Sequence, residues 1–171
     1  MAELIVYFSR AGENYFGGEI RSIAVGNTEA AVQTLQELTG APRFKLEPMQ
    51  PYSDDYSACV EQARTEARRD ARPELKAYPE DMEHYDTIYL CYPNYCGSMP
   101  MPVFTFLEHF DFAGKAICPL CTHEGSGMGT SEHDIHRLCP QAVLKRGLPI
   151  QGSRVKSAKK QLEAWVNSCR D

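Results

Sequence analysis

Three short stretches of the chain are apolar at nearly every position: residues 4–8 (LIVYF), 87–92 (TIYLCY) and 115–121 (KAICPLC). Runs without alternation suit parallel strands covered on both faces. Residues 44–47 alternate and are more polar, which fits an edge strand, and residues 142–144, extending toward Leu148, read as a fifth and weaker strand. Between these runs the apolar positions recur at helical spacing. Residues 28–39 place Ala31, Leu35 and Leu38 on one face and stop at Gly40, and residues 57–69 do the same with Val60, Ala63 and Ala67. Residues 102–110, 131–138 and 157–169 complete the set, with Ser131 standing where an N-cap would and Leu162, Trp165 and Val166 forming the apolar face of the last helix. Strands alternating with helices predict an α/β fold, a parallel sheet with helices on both faces.

Neither a repeat nor a low-complexity linker divides the 171 residues, so a single domain over residues 1–171 is expected. A net charge of −5 argues against a nucleic-acid partner, which calls for a basic face. No run approaches the ~20 apolar residues that span a bilayer. The start, Met1-Ala2-Glu3, has no basic region leading into a long apolar one, so neither membrane nor leader is expected and the cytoplasm is the expected location. The seven cysteines are an odd number with no secretory signal, which disfavours a disulfide framework. Cys118-Pro-Leu-Cys121 has redox spacing, but such a motif begins a helix. Here it lies inside a strand, where positions three apart face opposite ways.

Ligands of open parallel sheets bind beyond the carboxyl ends of the strands. Three loops rich in Gly, Ser, Thr and Asn follow the three apolar runs. The first offers Ser9-Arg10-Ala11-Gly12 and then, after an interruption at about residues 13–26, Asn27-Thr28-Glu29 at a helix start. Free N–H groups and the positive dipole end would hold a phosphate there, although plain capping by Asn27 explains the same residues. Asn14-Tyr15-Phe16 and Glu19-Ile20-Arg21 flank Gly17-Gly18, so the interruption reads as a surface β-hairpin that returns the chain to its starting point. The second loop runs from Tyr92 to Pro100, with Tyr95 available to stack on a flat ligand or to fold over the sheet edge. The third, Cys121 to Gly129, has three glycines in five residues but not the dinucleotide pattern, since position 130 is Thr. Together the loops outline a mononucleotide with a flat ring.

The stretches Tyr7-Phe8-Ser9-Arg10…Gly26-Asn27-Thr28-Glu29, Tyr92-Pro93-Asn94-Tyr95-Cys96-Gly97 and Cys121-Thr122-His123-Glu124-Gly125-Ser126-Gly127 resemble the three flavin-binding loops of flavodoxin-like proteins. The likeness is greatest to a bacterial subgroup with an expanded first loop and a Gly-Ser-Arg-Val stretch, here residues 152–155, before the last helix. The resemblance implies a three-layer sandwich around a five-stranded parallel sheet of order 2-1-3-4-5, with FMN as cofactor. It implies that Ser9, Arg10, Ala11, Asn27 and Thr28 hold the FMN phosphate, that Pro93, Asn94, Tyr95, Cys96 and Gly97 line the ring with Tyr95 stacked on it, and that Thr122, His123, Glu124, Gly125, Ser126 and Gly127 meet its pyrimidine side. Ala11 replaces a second Thr common in the family, with Asn14 and Tyr15 as substitutes.

A phosphorylated receiver needs carboxylates after its first strand, where this chain has Tyr7-Phe8-Ser9, and a small cysteine phosphatase needs Arg six residues after a Cys, which none of the seven has. Nor is there a Walker lysine. His123, His133 and His136 lack the four-ligand spacing of structural zinc. Two functions remain: an FMN-dependent oxidoreductase passing electrons from a nicotinamide donor to a quinone-type acceptor, and a non-enzymatic electron-transfer protein serving redox protein partners. Tyrosine stacking and a nearby carboxylate such as Glu124 would lower the flavin potential in either.

Overall fold

Each apolar run becomes a strand because both of its faces have a helical layer to bury in. The computed structural model describes residues 2–171; Met1, where the reading of the N-terminus begins, lies outside them. The main sheet contains β1 (Glu3–Tyr7), β4 (Arg43–Lys45), β5 (Thr87–Pro93), β6 (Ala116–His123), β7 (Val143–Leu144) and β8 (Leu148–Gln151). Its order is β4-β1-β5-β6-β7, with β8 continuing along β6 past β7 and every pairing parallel. Counted by principal strands this is 2-1-3-4-5.

On one face, Leu4, Val6, Ile88, Leu90 and Tyr92 pack with α3 (Met101–His109) and α4 (Ser131–Leu138) through Val103, Phe106 and Ile135. On the other, Ile5, Tyr7, Tyr89 and Cys91 meet α1 (Asn27–Thr39) and α5 (Lys159–Arg170) through Val32, Leu35, Leu162 and Trp165. Each such side chain contributes roughly 1.5–3 kcal/mol when fully buried. Two-sided burial is why these strands read as continuous apolar runs. Cys118 belongs to the second layer and Cys121 to the first, so the C-x-x-C thiols look in opposite directions. The Cys121 thiol is pushed up to about 12 by burial, and Cys118 is raised by a hydrogen bond shared with Cys169 and by burial. Neither is a ready nucleophile.

Three details differ from the sequence expectation. The fifth strand position is split: Ile117 pairs with Leu144 and Leu120 with Leu148, so β7 and β8 carry one more residue than β6 over that interval. The interruption lies opposite Pro119, which has no N–H to give to a neighbour, and an extra residue at such a place is a bulge. The last helix begins at Lys159, after a 3-10 turn over Gly152–Ser157. Finally, Thr130 holds the N-cap position of α4, and Ser131 is its first residue. The Ser131 hydroxyl donates to the Met128 carbonyl at 2.6 Å and accepts from the buried Tyr92 hydroxyl at 2.8 Å, which otherwise would lack a partner in the core.

Between β1 and α1 the chain leaves the main sheet as an antiparallel hairpin, β2 (Gly12–Phe16) with β3 (Glu19–Ile23). Gly17 and Gly18 close it with φ of 63° and 93°, the positive pair a tight two-residue turn demands.

Candidate functional site

The hairpin returns the chain onto the point it left. A Cβ on Gly26 would fall 2.2 Å from Ser9 Oγ and 2.7 Å from the Arg10 carbonyl oxygen, so only glycine fits against this loop. Gly26 is the N-cap of α1 and has no side chain to cap with; Ser9 Oγ instead accepts from the Glu29 N–H at 3.0 Å. Asn14 Nδ2 donates to the Arg10 and Gly12 carbonyls at 3.0 and 3.3 Å, closing the base of the hairpin. The interrupted loop is thereby rebuilt in space. Among the described residues the Asn27 and Thr28 N–H groups have no protein acceptor, so they remain for an anion at the positive end of α1.

Arg10 has another task. Its guanidinium donates to the Ser53 carbonyl at 2.9 Å, to the Asp54 carbonyl at 2.9 Å and to the Glu13 carbonyl at 2.5 Å. Glu13 in turn donates its N–H to the Asp54 carbonyl and accepts from the Tyr56 N–H at 2.9 Å. The first loop, the hairpin base and the start of α2 (Tyr56–Arg68) are thus tied into one wall. Arg10 lines the cavity while its donors are spent on backbone, which makes it a clamp of that wall.

The second and third loops are held together as firmly. Asn94 donates its N–H to the Thr122 carbonyl at 2.8 Å and its side-chain amide to the Gly127 carbonyl at 3.0 Å, while its side-chain oxygen accepts from the Gly97 N–H at 3.0 Å. Tyr95 and Ser98 exchange both backbone hydrogen bonds around Cys96-Gly97, and Cys96 sits at φ 55°, an uncommon conformation for a residue with a Cβ. The buried hydroxyls of Thr28 and Thr122 meet at 2.7 Å and join the first loop to the third. Glu124 accepts from the Ser153 N–H at 2.8 Å, so the Gly-Ser-Arg-Val stretch is anchored to the third loop by its carboxylate.

These walls enclose a cavity of about 490 Å³, inside the ordinary range for a small-molecule site. Of the residues singled out from sequence, Ser9, Arg10, Asn27, Thr28, Pro93, Asn94, Tyr95, Cys96, Gly97, Thr122, His123, Glu124 and Ser126 line it. Ala11 is exposed and outside it, as is Gly125, and Gly127 contributes only a carbonyl to the scaffold behind it. Asn14 and Tyr15 of the hairpin do line it. The wall that sequence reasoning missed is α2, through Tyr56, Cys59, Val60, Ala63 and Arg64.

Tyr95 stands where the ring end of the cavity meets the core. Its ring contacts Phe8 and Tyr52 edge-on, with centroids 5.7 and 5.8 Å away, and the Cys59 thiol approaches its hydroxyl at 3.8 Å. Burial raises both the Tyr95 and the Cys59 pKa, the latter opposed by the Arg10 charge. Tyr52 donates its hydroxyl to the Glu66 carboxylate, and burial raises the pKa of both partners. The inner part of the slot between α2 and the Tyr95–Ser98 turn is therefore neutral, lined by Tyr95, Cys59, Val60 and Ala63, with Arg64 at its outer end, and it lies beside a polar, anion-ready helix end.

The sequence matches a family model described as Flavodoxin over residues 20–169, beginning inside the hairpin. No curated protein sequence matches it. A candidate flavoprotein from Bacteroides eggerthii DSM 20697 shares the fold with a TM-score of 0.80 at 24% identity, over 99% of this chain and 98% of that one. A flavoprotein in complex with FMN from Lactobacillus acidophilus NCFM gives a TM-score of 0.67 at 16% identity, over 91% and 97%. An NADH:FMN oxidoreductase in its apo form gives 0.57 at 14% identity, over 99% and 89%. At these identities the structural likeness is one of fold.

Proposed function

The chain belongs to the flavodoxin family, whose cofactor is FMN, and from that premise we propose that it is an FMN-dependent oxidoreductase that moves electrons from a nicotinamide donor to a quinone-type acceptor. The observation that carries this reading is the shape of the cavity: an anion-ready helix end at Asn27 and Thr28, and a neutral slot between α2 and Tyr95 that opens to solvent. The residues present fit FMN. Two uncommitted N–H groups suit its phosphate. Tyr95, Val60 and Ala63 suit a flat ring, and the rim of Asn94, Thr122 and Glu124 suits ring heteroatoms. FMN supplies hydride and single-electron chemistry when bound.

The protein's own part is to hold and orient. Ser9 and Gly26 set the phosphate end; Asn94 and the Thr28–Thr122 pair fix the distance between loops; Tyr95, backed by Phe8 and Tyr52, offers a ring face that cannot swing away. Fixed geometry of this kind is what limits loss of orientation when a donor binds. The fold of an NADH:FMN oxidoreductase is compatible with the same use of the scaffold.

The second reading, a carrier between protein partners, draws on the hairpin. Tyr15 and Ile20 are 43% and 51% exposed beside the cavity, apolar surface that a partner protein would cover. One assay separates the two. FMN-loaded protein is mixed with NADH or NADPH and a soluble quinone, and absorbance of the reduced nicotinamide is followed. Turnover dependent on the quinone supports the enzyme; a flavin that is reduced by neither donor leaves the carrier.

A further inference from the structure

Resting on the oxidoreductase reading, we infer that Arg64 is the anion-recognition residue for the nicotinamide donor, binding a donor phosphate at the mouth of the cavity. Two arginines line the cavity. Arg10 has spent its guanidinium on three backbone carbonyls. Arg64 is exposed, and among the described residues its guanidinium has no carboxylate within ion-pair distance; the nearby Glu61 pairs with Arg68 at 3.6 Å. Arg64 is thus the uncommitted cation of the site.

Its place is at the ring end, away from the α1 terminus that suits the FMN phosphate. It stands one turn beyond Val60 on the α2 wall and faces Cys96 at the tip of the opposite turn, where its charge opposes the rise in thiol pKa that burial causes. From Arg64 a shallow groove continues along α2, lined by Ala67 and by Glu61 and Arg68, which pair with each other at 3.6 Å. With the flavin ring against Tyr95, a dihydronicotinamide ring stacked on it lies toward Val60 and Ala63 of α2 and must leave its phosphates outside this apolar part of the slot. Arg64 and the groove beyond it are where those phosphates emerge. Guanidinium matches phosphate oxygens in bidentate geometry. The chain carries a net charge of −5, so a polyanionic donor needs local positive charge to approach. A quinone carries no phosphate and gains nothing from this residue.

The test uses FMN-loaded wild type, Arg64→Ala and Arg64→Lys with three donors: NADH, NADPH and the uncharged N-benzyl-1,4-dihydronicotinamide, which has the same reacting ring and no phosphate. For Arg64→Ala the ratio of kcat/KM for the dinucleotides to that for the neutral donor falls about tenfold, the size of one charge-assisted contact, with Arg64→Lys in between. The fall lies in KM. Calorimetry with NAD+ or NADP+ on the FMN-loaded protein weakens by the same factor, and the FMN dissociation constant stays put. A larger fall with NADPH than with NADH assigns the contact to the ribose phosphate; equal falls assign it to the pyrophosphate. Equal loss with all three donors, or an unchanged ratio, overturns the role of Arg64 while leaving the enzyme reading intact. A wild type that oxidises neither dinucleotide, whether or not it accepts the neutral donor, overturns both.

Discussion

Replacing Gly26 by alanine puts a methyl group where the first loop already is. The new Cβ would lie 2.2 Å from Ser9 Oγ and 2.7 Å from the Arg10 carbonyl oxygen. The hydroxyl can rotate away, at the loss of its bond to the Glu29 N–H, a cap worth about 1 kcal/mol. The carbonyl belongs to backbone pinned by Asn14 and by the Arg10 clamp, so it must move against them. Overpacking of that kind costs about 1–3 kcal/mol. The sum, about 2–4 kcal/mol, lowers the Tm of the apo-protein by roughly 5–15 °C. Because the same shift displaces the Asn27 and Thr28 N–H groups, FMN affinity falls about 10- to 100-fold, the loss of one charge-assisted hydrogen bond. Ser9→Ala is the internal reference: it removes the cap without adding a clash, and loses only about 1 kcal/mol. Thermal melts of apo-protein and fluorescence titration with FMN read both quantities. If Gly26→Ala matches wild type in both, or matches Ser9→Ala, the hairpin does not press its return strand onto the first loop and the rebuilt-cradle argument is wrong.

Tyr95→Ala weakens FMN binding by roughly 1–3 kcal/mol on the scale of base–aromatic stacking, while Tyr95→Phe keeps the ring and stays within about twofold by the same titration. Thr28→Val leaves the Thr122 hydroxyl buried without its 2.7 Å partner and destabilises the protein by about 1–3 kcal/mol in urea denaturation, whereas the Thr28→Val/Thr122→Val pair recovers most of that loss. Cys96 is exposed and the other six cysteines are buried, so Ellman's reagent titrates one thiol rapidly in the native protein and the rest only in denaturant. Saturating FMN slows that one thiol, because Cys96 lines the cavity; more than one fast thiol, or no effect of FMN, contradicts the placement.

The layers of the fold are readable from sequence because burial on both faces leaves an unmistakable mark: residues 4–8, 87–92 and 115–121 admit almost no polar side chain. The split between β7 and β8 is not readable, since it depends on which residue of a neighbouring strand is Pro119 and hence on register. Likewise Ser131 looks like a cap in one dimension, and only the depth of Tyr92 shows why its hydroxyl points elsewhere. For the site, loop composition points to the three strand ends, and the cavity assembles there. Arg10 reads as a phosphate ligand by type and position, yet its partners at Ser53 and Asp54 are more than forty residues away and leave no local sign. The α2 wall left a faint one: the inward positions Cys59 and Ala63 are small, where a helix packed flat on the sheet would carry larger side chains.

The central claim is that the three rebuilt loops bind FMN with its phosphate at the start of α1. The most direct measurement is a parallel fluorescence titration of apo-protein with FMN and with riboflavin, which differ only by the phosphate. The account predicts saturable quenching at one FMN per chain, with riboflavin bound at least tenfold more weakly for want of the Asn27 and Thr28 contacts. Absence of saturable quenching by FMN, or equal affinity for the two flavins, would contradict it.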